Sequence, residues 1–484
     1  MKLNTILILA AVTLLPLAST ADRLVIMHTN DTHSQLDPND KNEGGILRRK
    51  VLVDSIRNAE ANTLLIDCGD AVQGTLYFTL FNGEAERVIM NNLGYDIQIL
   101  GNHEFDNGLE ELAREWSQVG AEKLTSNYDL RGTALAGIFK PYTIRTFGDR
   151  KIGFIAINLD PKGMIADANA KGVHYLDGIE AANALAWYLK NVEHTDMVIA
   201  LSHVGYDTEN PPTPSDLDIA RNSKDIDIII GGHSHTTVDP SSPDALAWKV
   251  ANAIGDTVIV AQTGSRGVNL GKITVDLPTL KTEYSLIPVD KRLDDRIDPE
   301  AAALLSKYRT AVDSLKREKI GKSAQEFPAG SQILLNWVAD VMHRMGGELV
   351  AVPVDLAIVN KGGIRRGMPA GHITKETIMT MLPFDNKLVV MEISGKDLAE
   401  ACEVMKRRGG DGISEGFDIN AIDPMHTYTI VTIDYLATGG DYMEPLTRGK
   451  VIARSKARLD ETMIEYIKRT NGKPIKYTDN APRM

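Results

Sequence analysis

Five of the 11 histidines follow closely on short apolar runs: His33 in "NDTHS", His103 in "GNHEFD", His203 in "ALSHVG", and His233 with His235 in "GGHSH". Asp31 and Asp70, in "TNDTH" and "DCGDA", take the same kind of position, as do Asn102 and Asp106 on either side of His103. A single histidine after a strand is more often a hydrogen-bonded structural residue, and a single Asp more often a helix N-cap. That reading suits any one motif and fails for all of them together. Imidazole and carboxylate without thiolate suit borderline or hard divalent ions such as Zn, Mn, Fe or Mg. The candidates outnumber the ligands of one tetrahedral zinc. Two ions sharing a carboxylate would use them all, and paired metals typically hydrolyse phosphate esters by deprotonating a water and stabilising the entering and leaving oxygens.

The elements that must position these residues can be read from the apolar runs at 23–29, 63–67, 97–101, 151–158, 196–203, 225–232 and 256–264. They are rich in Ile, Val and Leu without alternation, as expected of strands buried on both faces. Helical patterns separate them, so the first half reads as an α/β domain. Ligands of open α/β sheets bind outside the carboxyl ends of strands, where the His, Asp and Asn residues fall. Near Leu293 to Ile320 the character changes. A helix start at Asp298-Pro299-Glu300 leads into a narrow stripe of Leu305, Tyr308, Val312 and Leu315, which suits a connector between domains. A second α/β segment follows, with helices expected over 333–345, 374–381 and 396–407 and strands over 355–360, 387–393 and 427–435. The expected division is 1–21 export signal, 22–292 first domain, 293–320 connector helix and 321–484 second domain, in agreement with the two-domain prior for 484 residues.

The net charge is -12, with no block of Lys and Arg, so a nucleic-acid polymer is not the expected partner. One small anion in a local site is compatible with that charge. Lys2, the apolar stretch Ile6 to Leu17 and the small residues Ser19-Thr20-Ala21 read as an export signal, with the mature chain starting near Asp22. The stretch is short for a span of about 20 residues, so no membrane span is expected after signal removal, and the location is periplasmic or extracellular. The two cysteines, Cys68 and Cys402, fall in different expected domains and read as buried free thiols.

Together, "HTNDTHSQL", "DCGDAVQG", "LGNHEFDNG", "LSHVGYD" and "GGHSHT" resemble the calcineurin-like metallophosphoesterases, and within them the 5′-nucleotidase and UDP-sugar hydrolase branch. Beyond the connector, "NKGGIRRGMPAG", "LPFDN", "ISGKDLAEACE" and "TGGDYM" resemble blocks of that branch's C-terminal domain. The resemblance implies an α/β fold: a four-layer αββα sandwich joined by the linker helix to a C-terminal α/β domain of 5′-nucleotidase type. It implies two divalent metal ions, one held by Asp31, His33, Asp70 and His235 and the other by Asp70, Asn102, His203 and His233, with Asp70 bridging. His103 and Asp106 match the pair that meets the scissile phosphate and leaving oxygen. An Asp three residues on can fix the imidazole tautomer and raise its basicity. Glu104 is left open between a supporting and a purely structural role.

In the second domain the resemblance assigns Asn360, Gly362, Gly363 and Arg365 to nucleotide binding, with Phe384 and Tyr442 sandwiching the base. Tyr442 stands where relatives commonly have Phe. Relatives also carry an Arg-containing stretch ahead of "NWVADVM", whereas no Arg lies between Gly321 and Asn336 here; whether Arg366 compensates is left open by the sequence. The expected function is an exported dinuclear-metal phosphoesterase acting on nucleotides or related small phosphorylated substrates through a metal-activated water. Alternatives on the same scaffold are a 2′,3′-cyclic phosphodiesterase, a UDP-sugar hydrolase or a sulfur-ester hydrolase; a catalytically inactive nucleotide-binding protein is the alternative from another class. Neither the metal nor the oligomeric state can be read from the residues.

Overall fold

The computed structural model describes residues 20–207 and 213–484. The apolar stretch of the expected export signal, Ile6 to Leu17, lies outside the described residues. In the strand Arg23–Thr29, Leu24 and Ile26 enter one buried cluster while Val25 and Met27 enter another. Side chains alternate across a strand, so an unbroken apolar run needs cover on both faces.

That cover is a four-layer arrangement. One six-stranded sheet runs Thr282–Pro288, Asn269–Asp276, Arg23–Thr29, Asn62–Asp67, Ile97–Ile99 and Glu122–Leu124. The second runs Lys249–Ala251, Thr257–Ala261, Ile228–Ile230, Met197–His203, Arg150–Asn158 and Tyr142–Phe147. Their facing sides share a core in which Leu24, Ile26 and Ile66 meet Phe154, Ile199 and Ile229. Helices Ile46–Ala59 and Glu84–Leu93 contribute Val53 and Ile89 to the outer cluster of the first sheet, and helix Gly178–Asn191 packs on the second. Within each sheet the central strands are parallel, so their carboxyl ends point the same way.

The expected α/β sandwich is therefore the observed one. The strands that sequence reading missed include the edges Tyr142–Phe147 and Thr282–Pro288, whose outward residues are polar and partly exposed, and the internal strand Asn269–Asp276, where buried and half-buried residues largely alternate. The strand at 97 ends at Ile99, two residues earlier than expected, where the chain turns toward the 3-10 helix His103–Phe105.

The connector is the helix Pro299–Arg317, capped by the Asp298 carboxylate, which accepts from the Glu300 N–H at 2.9 Å. It is wedged between domains, against helices Leu76–Phe81 and Glu84–Leu93 on one side and helix Lys375–Met381 on the other. The Tyr308 hydroxyl donates to Glu84 at 2.9 Å, and Arg309 pairs with Asp37. The C-terminal sheet runs Gly412–Ile413, Leu356–Val359, Thr427–Ile433, Lys387–Ser394 and Lys450–Arg458, with helix Gln332–Gly347 burying Trp337, Val338 and Met342 against it. The last strand expected there ends at Ile433 because helix Asp434–Ala437 begins at once. Cys68 and Cys402 are buried and free, one in the sandwich and one in the C-terminal core.

The outer cluster of the first sheet, the connector and the C-terminal core form one apolar cluster in which Leu305 is fully buried. Leu305→Ala is expected to cost about 2–5 kcal/mol in urea denaturation, the usual loss when a buried leucine leaves a cavity.

Candidate functional site

The site begins where the parallel strands Arg23–Thr29 and Asn62–Asp67 end but their hydrogen bonding continues. Cys68 N–H donates to the Thr29 carbonyl at 2.8 Å, Asp31 N–H to Gly69 at 2.9 Å, His33 N–H to Asp70 at 3.0 Å and Ser34 N–H to Ala71 at 2.9 Å. The two loops are thereby locked side by side. Asp31, His33, Asp70, His233 and His235 all carry positive φ, between 46° and 81°. Non-glycine residues enter this region rarely, and such strain persists where surrounding structure over-determines it. Gly69, at φ 86°, is required for another reason: a Cβ there would lie 2.5 Å from the Gly101 nitrogen.

Glu104 supplies part of that restraint. Its carboxylate accepts from the Asp70 N–H at 3.0 Å, the Ala71 N–H at 2.9 Å and the Gly101 N–H at 2.6 Å. Glu104 therefore ties two strand-end loops together, and its role is structural support.

Two groups of side chains converge beyond these loops, Asp31 with His33 and His235, and Asp70 with His203 and His233. In the first, the Nε2 atoms of His33 and His235 lie 2.8 Å apart, and His235 Nε2 is 3.5 Å from Asp31 Oδ1. In the second, His203 Nδ1 donates to the Cys68 carbonyl at 2.7 Å, which turns Nε2 toward the rest of the group. That buried Nε2 has no hydrogen-bond partner among the described residues and lies 3.3 Å from Asp70 Oδ2. Asn102 joins this group through its Oδ1, 2.9 Å from His233 Nδ1. All seven expected ligands are thus brought together, although they come from five separate strand ends.

Asp31 and Asp70 are essentially inaccessible, and among the described residues only imidazoles form ion pairs with them. Burial, reinforced by Asp70, pushes the Asp31 carboxyl up to about 7 against the pull of His203. Burial lowers His233 to about 3 and His235 to about 4, so both are neutral and keep lone pairs. Burial opposes protonation of His203 as well, but Asp70 and Asp31 override it and lift it to about 10, so a cation held at its Nε2 would displace a proton. Neutral imidazoles, an orphaned ring nitrogen and two buried carboxylates without Lys or Arg form a donor set that fits divalent cations.

Beside these groups His103 Nδ1 lies 3.0 Å from Asp106 Oδ2, and the His103 backbone N–H donates to Asp70 Oδ1 at 2.9 Å. Asp106 and Asp70 raise the His103 pKa against the opposing effect of burial. The two-residue unit borders a cavity of about 670 Å³ between the domains, within the roughly 300–1,000 Å³ typical of ligand sites. Its far wall carries Asn360, Gly362, Gly363, Arg365 and Phe384. Arg365 Nη2 reaches His103 Nε2 at 2.7 Å and stands 5.5 Å over the Phe384 ring. Asn360 Nδ2 donates to Asp441 at 2.7 Å, and its buried Oδ1 has no partner among the described residues. Tyr442, expected opposite Phe384, is not on this wall: its ring packs against Gly163, where a Cβ would come within 2.6 Å of it. Tyr435, Arg454, Arg458 and the 164–169 loop line the cavity and had no motif to mark them.

Two family models match the chain, calcineurin-like phosphoesterase over residues 24–237 and 5′-nucleotidase, C-terminal domain, over 311–417. The 5′-nucleotidase of Bos taurus is 30% identical over 454 residues, covering 86% of this chain and 77% of that protein. A trifunctional nucleotide phosphoesterase of Bacillus subtilis is 29% identical over 86% of this chain, which spans only 32% of that longer protein. Among solved structures, a 5′-nucleotidase precursor from Thermus thermophilus superposes with a TM-score of 0.80 at 27% identity, covering 94% of this chain and 98% of that one.

Glu104→Gln replaces an acceptor of buried N–H groups with an amide that cannot satisfy all three. It is expected to cost about 1–3 kcal/mol in urea denaturation with the far-ultraviolet circular dichroism unchanged.

Proposed function

We propose a reaction from the premise that the chain belongs to the 5′-nucleotidase family of calcineurin-like phosphoesterases. The reaction is hydrolysis of the phosphate monoester of a nucleotide. The observation that carries it is the meeting, across one cavity, of two carboxylate–imidazole groups and the His103–Asp106 pair with Arg365 and Phe384 of the other domain. Asp31, His33, Asp70 and His235 would hold one divalent cation, and Asp70, Asn102, His203 and His233 the other. Bound cations would supply the nucleophile from water and offset charge on the phosphoryl oxygens.

The residues of the chain do the rest. Asp106 holds the His103 imidazole so that Nε2 faces the cavity. The 2.7 Å contact between Arg365 Nη2 and His103 Nε2 requires Nε2 without a proton. A phosphate oxygen placed between them separates the two groups. It would then accept from Arg365 and leave Nε2 free to take a proton from solvent and pass it to the leaving oxygen. Phe384 offers a face for the base, since stacking tolerates any base. The Oδ1 of Asn360, fixed by the bond from its Nδ2 to Asp441, offers an acceptor toward the substrate. Export is part of the proposal and rests on the apolar stretch Ile6 to Leu17 alone; no helix of the described residues is long and apolar enough to cross a membrane.

The test is phosphate release across nucleoside monophosphates, diphosphates, 2′,3′-cyclic nucleotides and UDP-sugars, with a sulfur ester included. Release from monophosphates is expected to vanish on chelation and return with Mn, Co or Zn. Release from only the cyclic, sugar-linked or sulfur substrates would reject the monoester reading. Asp70→Ala is expected to remove both metals and activity together, as measured by elemental analysis of the purified protein. His103→Ala is expected to keep the metals and lower turnover by about 10²–10⁴-fold, most with poor leaving groups. Full activity of this variant on a poor leaving group would refute the role given to His103.

A further inference from the structure

The loop that brings Asn360 to the cavity is held from behind by charged side chains that do not line it. Arg408 closes the helix Gly395–Arg407, and its guanidinium spans two carboxylates. Nη1 donates to Asp411 Oδ2 at 3.1 Å and Nη2 to Asp441 Oδ2 at 2.6 Å. Asp411 is buried, and its other oxygen accepts from the Lys361 N–H at 2.9 Å. Asp441 Oδ2 accepts from Asn360 Nδ2 as well. Asn360, Asp441, Arg408, Asp411 and Lys361 thus close a ring that grips the loop once by a side chain and once by its backbone.

Each member of the ring depends on the others. A carboxylate only accepts hydrogen bonds, so Asp441 compels the Asn360 amide to turn Nδ2 toward it and fixes where Oδ1 points. Asp411 and Asp441 repel one another, and among the described residues Arg408 is the cation that pairs with both. Asp441 and Tyr442 carry positive φ, 56° and 61°. Successive non-glycine residues keep that conformation only under outside restraint. Arg408 supplies part of it, and the rest comes across the domain seam. The Asp441 N–H donates to the Gly163 carbonyl at 2.9 Å, and the Tyr435 hydroxyl lies 3.1 Å from Asp441 Oδ1. Asn360 and Gly363 share the lining of a recess with Phe384, so a shift of the loop would reach the aromatic face too.

We infer that Arg408 and Asp411 are positioning residues, which hold the 360–363 loop so that Asn360 meets the nucleoside part of the substrate while touching none of it themselves. The inference rests on the reading of the cavity as a nucleotide site. It assigns the recognition of that part to a salt-bridged ring behind the cavity wall as much as to the wall itself.

The experiment measures hydrolysis of a nucleoside monophosphate and of p-nitrophenyl phosphate, an ester without base or sugar. It uses the metal-loaded full chain, unaltered and as Arg408→Gln, Arg408→Lys and Asp411→Ala. Arg408→Gln is expected to raise KM for the nucleotide about tenfold, the scale of one charge-assisted hydrogen bond, with kcat retained. KM for p-nitrophenyl phosphate and metal content should stay those of the unaltered protein. Arg408→Lys should recover part of the loss, because a point charge cannot span two carboxylates as the planar fork does. Hydrogen exchange reads the ring without substrate: the Lys361 amide should exchange faster in Arg408→Gln and Asp411→Ala. An unchanged nucleotide KM in Arg408→Gln overturns the inference, as does a KM raised equally for both esters or a loss of metal. If the unaltered protein releases phosphate from p-nitrophenyl phosphate and from no nucleotide, the nucleotide reading falls and exchange decides alone. Faster Lys361 exchange in Arg408→Gln then upholds the ring as the support of the loop, and equal exchange overturns it.

Discussion

Asp31 and Asp70 stand buried at neighbouring strand ends, and the groups that face them are imidazoles rather than Lys or Arg. Two carboxylates in a low-dielectric site are tolerable only with strong local compensation, and much of the surrounding structure follows from that constraint. Histidines made neutral by burial turn lone pairs toward the pair. His203 is oriented by its bond to the Cys68 carbonyl. The left-handed backbone at Asp31, His33 and Asp70 is held by the continued ladder between residues 29–34 and 67–71 and by the N–H groups collected on Glu104, and the His233 N–H is tied to the Asp31 carboxylate. Such restraint is what keeps strained residues in place for chemistry.

The two domains divide the work by physical character. The sandwich supplies a rigid platform, with central strands buried on both faces, and from it the negative charge. The C-terminal domain supplies guanidiniums and an aromatic face from loops, where sequence can change at little cost to the core. The contact between Arg365 and His103 joins the two sets. The wedge-like helix Pro299–Arg317 and the apolar cluster that continues through it hold the domains in register. On the proposed reading, a cavity built at such a seam would let the scissile group and the base be recognised by different domains, so that binding the whole substrate and assembling the site would be one event.

What could be read beforehand depended on whether the signal was local. The central strands were legible because full burial demands unbroken Val, Ile and Leu, as in "RLVIMHT" and "DMVIALSH". The edge strands Tyr142–Phe147 and Thr282–Pro288 were not, since half of each meets solvent and tolerates any polar residue. The ligand candidates were legible because several strand ends carried the same unusual chemistry. Glu104 was ambiguous, because a carboxylate that accepts three backbone N–H groups looks the same in sequence as any other glutamate. Tyr442 was expected opposite Phe384 from a motif, whereas its ring lies on Gly163, a contact between residues distant in the chain.

Residue types and their placement after apolar runs were sufficient to determine the fold class, the two-domain order and the kind of chemistry, because burial on both faces and metal affinity are properties of local composition. Only the tertiary structure decided which residues meet. It set His203 Nε2 toward Asp70, spent Glu104 on backbone support, and brought Arg365 of the second domain against His103. These outcomes depend on the packing of two sheets and a second domain against one another. Contacts between segments some hundred residues apart are set by the sum of that packing, and no short stretch of the chain encodes them.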